Sequence, residues 1–248
     1  MPLEWRTTKV NTSKGEVTVE HWAKHNPIEL LEAVSDRANP VSGQPMVFKH
    51  IFRGRQLASR FMPQHSNDWI IAYYPPSTLF ATLKEMARKR IAIVELPVAS
   101  IKRPNGTTQI VTAWKKSYAD LDLFLRSKEF STVRKLKVGL AAMRLVAKLH
   151  AAGYNHSHIK MENILVSEHD VPHLIDYTFL NLEKRLYSLE KGDTKILAAS
   201  MVDTIGKSLG GKQGEKLTFQ HKDQFLREYY RARQRYKATF EKRARSGR

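Results

Sequence analysis

Between His156 and Asp176 the sequence carries residue types at spacings that suit phosphate chemistry. It reads His156-Ser157-His158-Ile159-Lys160-Met161-Glu162-Asn163-Ile164-Leu165, then eight residues, then Leu174-Ile175-Asp176-Tyr177. Phosphoryl transfer from ATP needs metal ions to neutralise the phosphates, side-chain oxygens to hold those ions, and a group that positions the acceptor hydroxyl. An Asn closing a loop and an Asp just after a short strand can hold Mg²⁺ between them, and Asn163 and Asp176 fit those two positions. Lys160, three residues before Asn163, could reach the transferred phosphate as a point charge.

These residues need a frame. The clearest helix in the chain runs from Ser131 to Ala152: Leu136, Leu140, Met143 and Ala147 recur at spacings of three and four, and Gly153 stops it. It delivers the chain to the loop, and Leu174-Ile175 is a short apolar strand leading to Asp176. Upstream, Trp5–Val10 and Glu16–Trp22 read as a hairpin around Thr12-Ser13-Lys14-Gly15. Asn26 and Pro27 start a short helix. Met46–Phe52 reads as a strand, 53–68 shows no clear period, and Trp69–Tyr74 is a short apolar strand or a helix start. A helix follows over roughly 78–90, then strands over 91–101 and 109–114 joined by a turn at Arg103-Pro104-Asn105-Gly106. After a short amphipathic helix over 118–126 the chain is mostly helical, with further helices near 194–209 and 221–243 and a loop at 210–214 between them.

The stretch resembles the catalytic loop of protein kinases, H-R-D-L-K-x-x-N followed by D-F-G. His156, Lys160, Glu162, Asn163, Ile164 and Leu165 coincide with the common eukaryotic version at the same spacing, and Asp176 falls at the metal-binding Asp, with Tyr177 and Thr178 after it. The resemblance implies an α+β, bilobal kinase-like fold. A strand-rich N-lobe would span 1–115, with an N-terminal extension over 1–40. A compact helical C-lobe would span 116–248, with the catalytic loop at 154–163. It implies ATP and Mg²⁺ as cofactors and a protein or sugar hydroxyl as acceptor. The short ending after Asp176 and the absence of A-P-E resemble the compact RIO/Bud32 and lipopolysaccharide Kdo-kinase groups rather than ordinary eukaryotic kinases. One departure bears on activity: His158 stands where the catalytic Asp is expected, the usual mark of a pseudokinase. A catalytically impaired scaffold or regulator is therefore the alternative reading.

Carried further upstream, the resemblance makes Met46-Val47-Phe48-Lys49-His50 the strand whose Lys grips the α- and β-phosphates. The alternative reading of Lys49 is one more surface lysine among many. Glu85, the one carboxylate in the helix over 78–90, is its candidate partner. No G-x-G-x-x-G precedes Lys49; Gly43 stands alone.

Composition narrows the field. Forty-two Lys and Arg against twenty-four Asp and Glu give a net charge of +18, a surface that attracts polyanions. Residues 222–248 interleave Lys and Arg with Phe225, Tyr229, Tyr230, Tyr236 and Phe240. That pattern fits either a terminal helix packing its aromatics on the domain or a basic helix for nucleic acid or an anionic surface. The chain has no cysteine, so disulfides and thiol chemistry are excluded. No apolar run is long enough to span a membrane and no signal-peptide core opens the sequence, so a cytoplasmic protein is expected.

Overall fold

The computed structural model describes residues 4–35, 40–41, 44–53, 55–62, 76–89, 91, 96–113, 119–156, 159–175, 180–181 and 187–246. The class is α+β, and the chain divides into two compact units, Met1–Lys115 and Lys116–Arg248.

The first unit is built on a seven-stranded antiparallel sheet. Its strands are β1 (Trp5–Thr12), β2 (Gly15–Trp22), β3 (Pro40–Val41), β4 (Gln44–Phe52), β5 (Arg55–Met62), β6 (Leu96–Lys102) and β7 (Thr108–Ala113), in the order β1-β2-β6-β7-β5-β4-β3. The expected hairpin is there: Trp5 pairs with Trp22 and Thr12 with Gly15, whose φ of +110° suits a residue without a Cβ. Helix α1 (Pro27–Ala33) starts where Asn26 predicts, because the Asn26 side chain accepts the Ile28 N–H at 3.0 Å. Leu30 and Val34 then seal a core made with Val17, Val19, Val98, Ile101 and Val111. Helix α2 (Pro76–Arg88) buries Leu79, Phe80, Leu83 and Met86 as one stripe, and Phe80 meets Trp5 edge-on at 5.2 Å. Lys84 of α2 pairs with Glu20 of β2.

Strand β5 is the element the sequence did not disclose. Leu57, Ala58, Ser59 and Phe61 are all nearly inaccessible. The face that carries Leu57 and Phe61 also carries the polar Ser59, and Ala58 beside it is buried too, so no clean apolar–polar alternation shows. Its buried hydroxyl is satisfied: Ser59 Oγ lies 2.7 Å from His50 Nε2 and accepts from Gln109 Nε2 at 3.0 Å. Gln109 also donates to the Val34 carbonyl and accepts from Arg103, so three strands and α1 share one buried polar network. The segment Trp69–Tyr74 lies outside the described residues, as do 92–95, and β6 is described from Leu96.

The second unit is helical around short strands. Helix α3 (Leu121–Arg126) is capped by Asp120, whose carboxylate accepts the Leu123 N–H at 2.9 Å. Helix α4 (Thr132–Ala151) is capped by Ser131 and buries Val138, Ala142, Met143, Val146 and Leu149. Helices α5 (Tyr187–Leu209) and α6 (Gly211–Arg245) follow. The loop expected at 210–214 is a correction. Only Gly210, at φ +73°, breaks the chain, and α6 starts at once, since glycines in a first helical turn interrupt no ladder. Phe225, Tyr229 and Ala232 of α6 are buried, and Tyr229 Oη lies 2.7 Å from Nδ1 of His150 in α4. Phe225 and Tyr229 of the terminal helix are therefore packing residues, whereas Tyr230 is exposed.

Gly139 sets how closely α4 and α6 approach. A Cβ built there would stand 2.8 Å from Phe225 Cζ, and Phe225 has no accessible surface to retreat into. Gly139→Val should lower stability by about 1–3 kcal/mol in urea unfolding. Adding Phe225→Leu should recover part of that loss; no recovery would show that this contact does not set the helix spacing.

Candidate functional site

The loop region is held from three sides. Helix α4 ends at Ala152, Gly153 turns at φ +87°, and the Tyr154 N–H returns to the Leu149 carbonyl at 3.2 Å. Strand β9 (Asn155–His156) pairs with β12 (Leu180–Asn181). Past it, Ile159 is buried and Lys160 is exposed. A 3₁₀ turn over Met161–Asn163 follows, closed by the Asn163 N–H on the Lys160 carbonyl at 3.0 Å. Strand β10 (Ile164–Val166) then pairs with β11 (Pro172–Leu174) on one side and β8 (Ala119–Asp120) on the other.

Ile175 is the junction. Its N–H donates to the Asn163 carbonyl at 2.9 Å, and its own carbonyl lies 2.9 Å from His156 Nε2. A carbonyl only accepts, so His156 carries its proton on Nε2 there. His156 is fully buried, a core residue that braces the loop backbone rather than a reactive imidazole. The hairpin beyond is fixed by a contact with no sequence signature. Arg134 of α4 holds the Asp170 carboxylate with two nitrogens at 2.8 and 2.9 Å, at a residue whose φ is +60°.

Of the residues singled out in the sequence, Lys160 and Asn163 thus fall on one short turn, Lys160 outward and Asn163 only 6% exposed. His158 and Asp176 lie outside the described residues, as do Tyr177 and Thr178. Asp176 follows Ile175 directly in the chain, and Ile175 is bonded to Asn163. An Asn amide and an Asp carboxylate supply the hard oxygen ligands that Mg²⁺ takes, one or two at a time, alongside phosphate oxygens. Among the described residues no group of three or more His, Asp or Glu side chains gathers as a metal site of its own.

In the first unit, Lys49 stands on β4 with its Cα paired to Ala58 of β5. Glu85 lies on α2, 2.8 Å from Lys89 one turn on. Among the described residues, strand β5 comes between β4 and α2 in the chain, and it carries Arg55 and Arg60. Arg60 sits centrally, paired with Val47 of β4 and Ile110 of β7. Sequence reading passed over it because β5 itself was not visible. The chain matches no family model and no curated protein, so the kinase likeness rests on these residues alone.

Removing the His156 ring should loosen this junction. His156→Ala should cost about 1–3 kcal/mol and speed amide hydrogen exchange at Ile175 and Asn163. Unchanged protection at both would show that the ring does not secure the loop.

Proposed function

We propose that the chain is an atypical kinase-like phosphotransferase of bilobal design that moves the γ-phosphate of ATP to a hydroxyl of a protein or a sugar. The observation that carries the reading is the pair of hydrogen bonds at Ile175, its N–H donating to the Asn163 carbonyl and its carbonyl accepting from His156, because they tie the turn bearing Lys160 and Asn163 to the residue before Asp176. On this reading Asn163 and Asp176 hold Mg²⁺, Lys160 meets the γ-phosphate, and His158 orients the acceptor hydroxyl. The α- and β-phosphates fall to Lys49, or to Arg60 on the neighbouring strand β5, with Glu85 as partner. A guanidinium there keeps its charge and offers two parallel donors in place of one ammonium.

Thermal unfolding with and without Mg-ATP tests this. At a hundred-fold excess over Kd, ligand should stabilise the fold by about 2.7 kcal/mol, a rise of roughly 5 to 11 °C for a chain of this size. Asp176→Asn should abolish the rise. No shift at millimolar Mg-ATP would reject nucleotide binding and leave the scaffold reading.

A second reading, association with nucleic acid, is favoured by the outer face of α6. Arg227, Arg231, Arg235, Lys242 and Arg245 are exposed along one side of the helix, over about 27 Å at 1.5 Å per residue. The opposite side, with Phe225, Tyr229 and Ala232, is already buried, whereas a helix lying in a membrane surface needs its apolar face free. No helix among the described residues is long and apolar enough to cross a membrane. Binding to a single-stranded oligonucleotide should weaken with salt at a log–log slope of about −3 to −4. Arg227→Gln with Arg231→Gln should flatten it by about one to one and a half. A slope unmoved by that pair would remove α6 from the interface.

A further inference from the structure

The second unit contains a cavity of about 550 Å³ that the loop chemistry does not use. Arg126 at the end of α3 and Lys128 just after it form one wall. Met161 of the 3₁₀ turn forms part of another, and Ser200, Asp203, Thr204, Lys207 and Ser208 present one face of α5. Two of its charges are partly spent. Asp203 pairs with Lys207 at 2.7 Å, and Asp122 holds the Arg126 Nε at 2.9 Å, leaving the terminal guanidinium nitrogens.

Behind the α5 wall stands an anomaly. Lys135 of α4 is only 3% exposed, yet it pairs with no carboxylate among the described residues. Its Nζ donates to Ser208 Oγ at 2.8 Å, and that hydroxyl donates onward to the Ile205 carbonyl at 2.7 Å. Burial holds the Lys135 pKa below its ordinary value. An ammonium partly withdrawn from water against one neutral hydroxyl is disfavoured, and a counter-charge arriving in the cavity at Ser208 would offset it. Counting Arg126, Lys128, Lys207 and Lys135 against Asp122 and Asp203 leaves two positive charges, which matches the charge of about −1.5 to −2 on a phosphomonoester. The volume lies within the range of about 300–1,000 Å³ for small-molecule sites, more than a bare ion fills.

We infer that this cavity binds the phosphate group of a small phosphorylated molecule, with Arg126, Lys128 and Lys207 as direct donors and Lys135 as a fixed positive charge behind Ser208. The cluster of directional N–H donors and hydroxyls suits a tetrahedral oxyanion, and the remainder of the volume takes the organic body. The site stands apart from phosphoryl transfer at the loop, with which it shares only the turn containing Met161.

Phenyl phosphate and inorganic phosphate, titrated into metal-free protein at constant ionic strength against sodium chloride, test the inference. Saturable binding is expected, tighter for phenyl phosphate, with the Lys135 ammonium resonance in lysine-labelled protein titrating at higher pH once ligand is bound. Arg126→Ala with Lys128→Ala, both at exposed positions, should weaken binding at least tenfold, whereas Lys237→Ala on α6 should not. The affinity should survive in Lys160→Ala/Asp176→Asn. Equal weakening by Lys237→Ala would mean general screening of the positive surface, and loss in the Lys160/Asp176 variant would assign the anion to the loop; either overturns the inference.

Discussion

The second unit depends on burying helix α4 on more than one side at once. A surface helix needs only one apolar stripe, but α4 is covered by α6, by α5 and by the β10–β11 hairpin, so Val138, Gly139, Ala142, Met143, Leu145 and Val146 all lose their surface. Gly139 and Ala142 keep the helix thin where others cross it. The polar groups caught in this packing are bonded to neighbouring elements: His150 to Tyr229 of α6, Lys135 to Ser208 of α5, and Arg134 to Asp170 of the hairpin turn. Each bond fixes a helix or turn against α4 at a chosen height, which apolar packing alone does not do.

The loop inherits its geometry from that arrangement. Because α4 ends at a residue that must turn, and Tyr154 is bonded back onto its last turn, His156 enters the core at a fixed place. The hairpin is clamped at its far end by Arg134, so Ile175 arrives where His156 and Asn163 can both bond it. The short loop is thus held between two anchors that belong to the same helix, its first turn and its last. A segment organised this way costs little to order when a ligand arrives, which is what charge-based catalysis or binding requires of its scaffold.

Much of this was legible because it is local. Asn26-Pro27, Ser131 and Gly153 announce helix ends through their own side chains or the lack of one, and α1 and α4 begin and end within a residue or so of those signals. The spacing of Lys160 and Asn163 required no fold to be seen. The rest was hidden for physical reasons. Strand β5 sets the polar Ser59 between Leu57 and Phe61 on its buried face, which breaks the period. Arg134 and Asp170 are separated by 36 residues, and nothing in either neighbourhood points to the other. The cavity combines α3, the 3₁₀ turn and α5, and its buried Lys135 looks in sequence like any lysine on a basic helix. The start of α6 was missed for the opposite reason, since the glycines near 210–214 outweighed a helical register that tolerates them.

On the proposed kinase-like reading, the replacement of the expected aspartate by His158 changes the electrostatics more than the proton chemistry. A neutral imidazole can accept a proton from a hydroxyl, but it adds no negative charge beside a divalent cation. Asn163 is neutral, so Asp176 would be the only anionic ligand the motif contributes, in a chain whose net charge is +18. The metal would then be held chiefly by the phosphates it arrives with, and its residence would depend on the cations that grip those phosphates. That would place an unusual share of nucleotide affinity on Lys160.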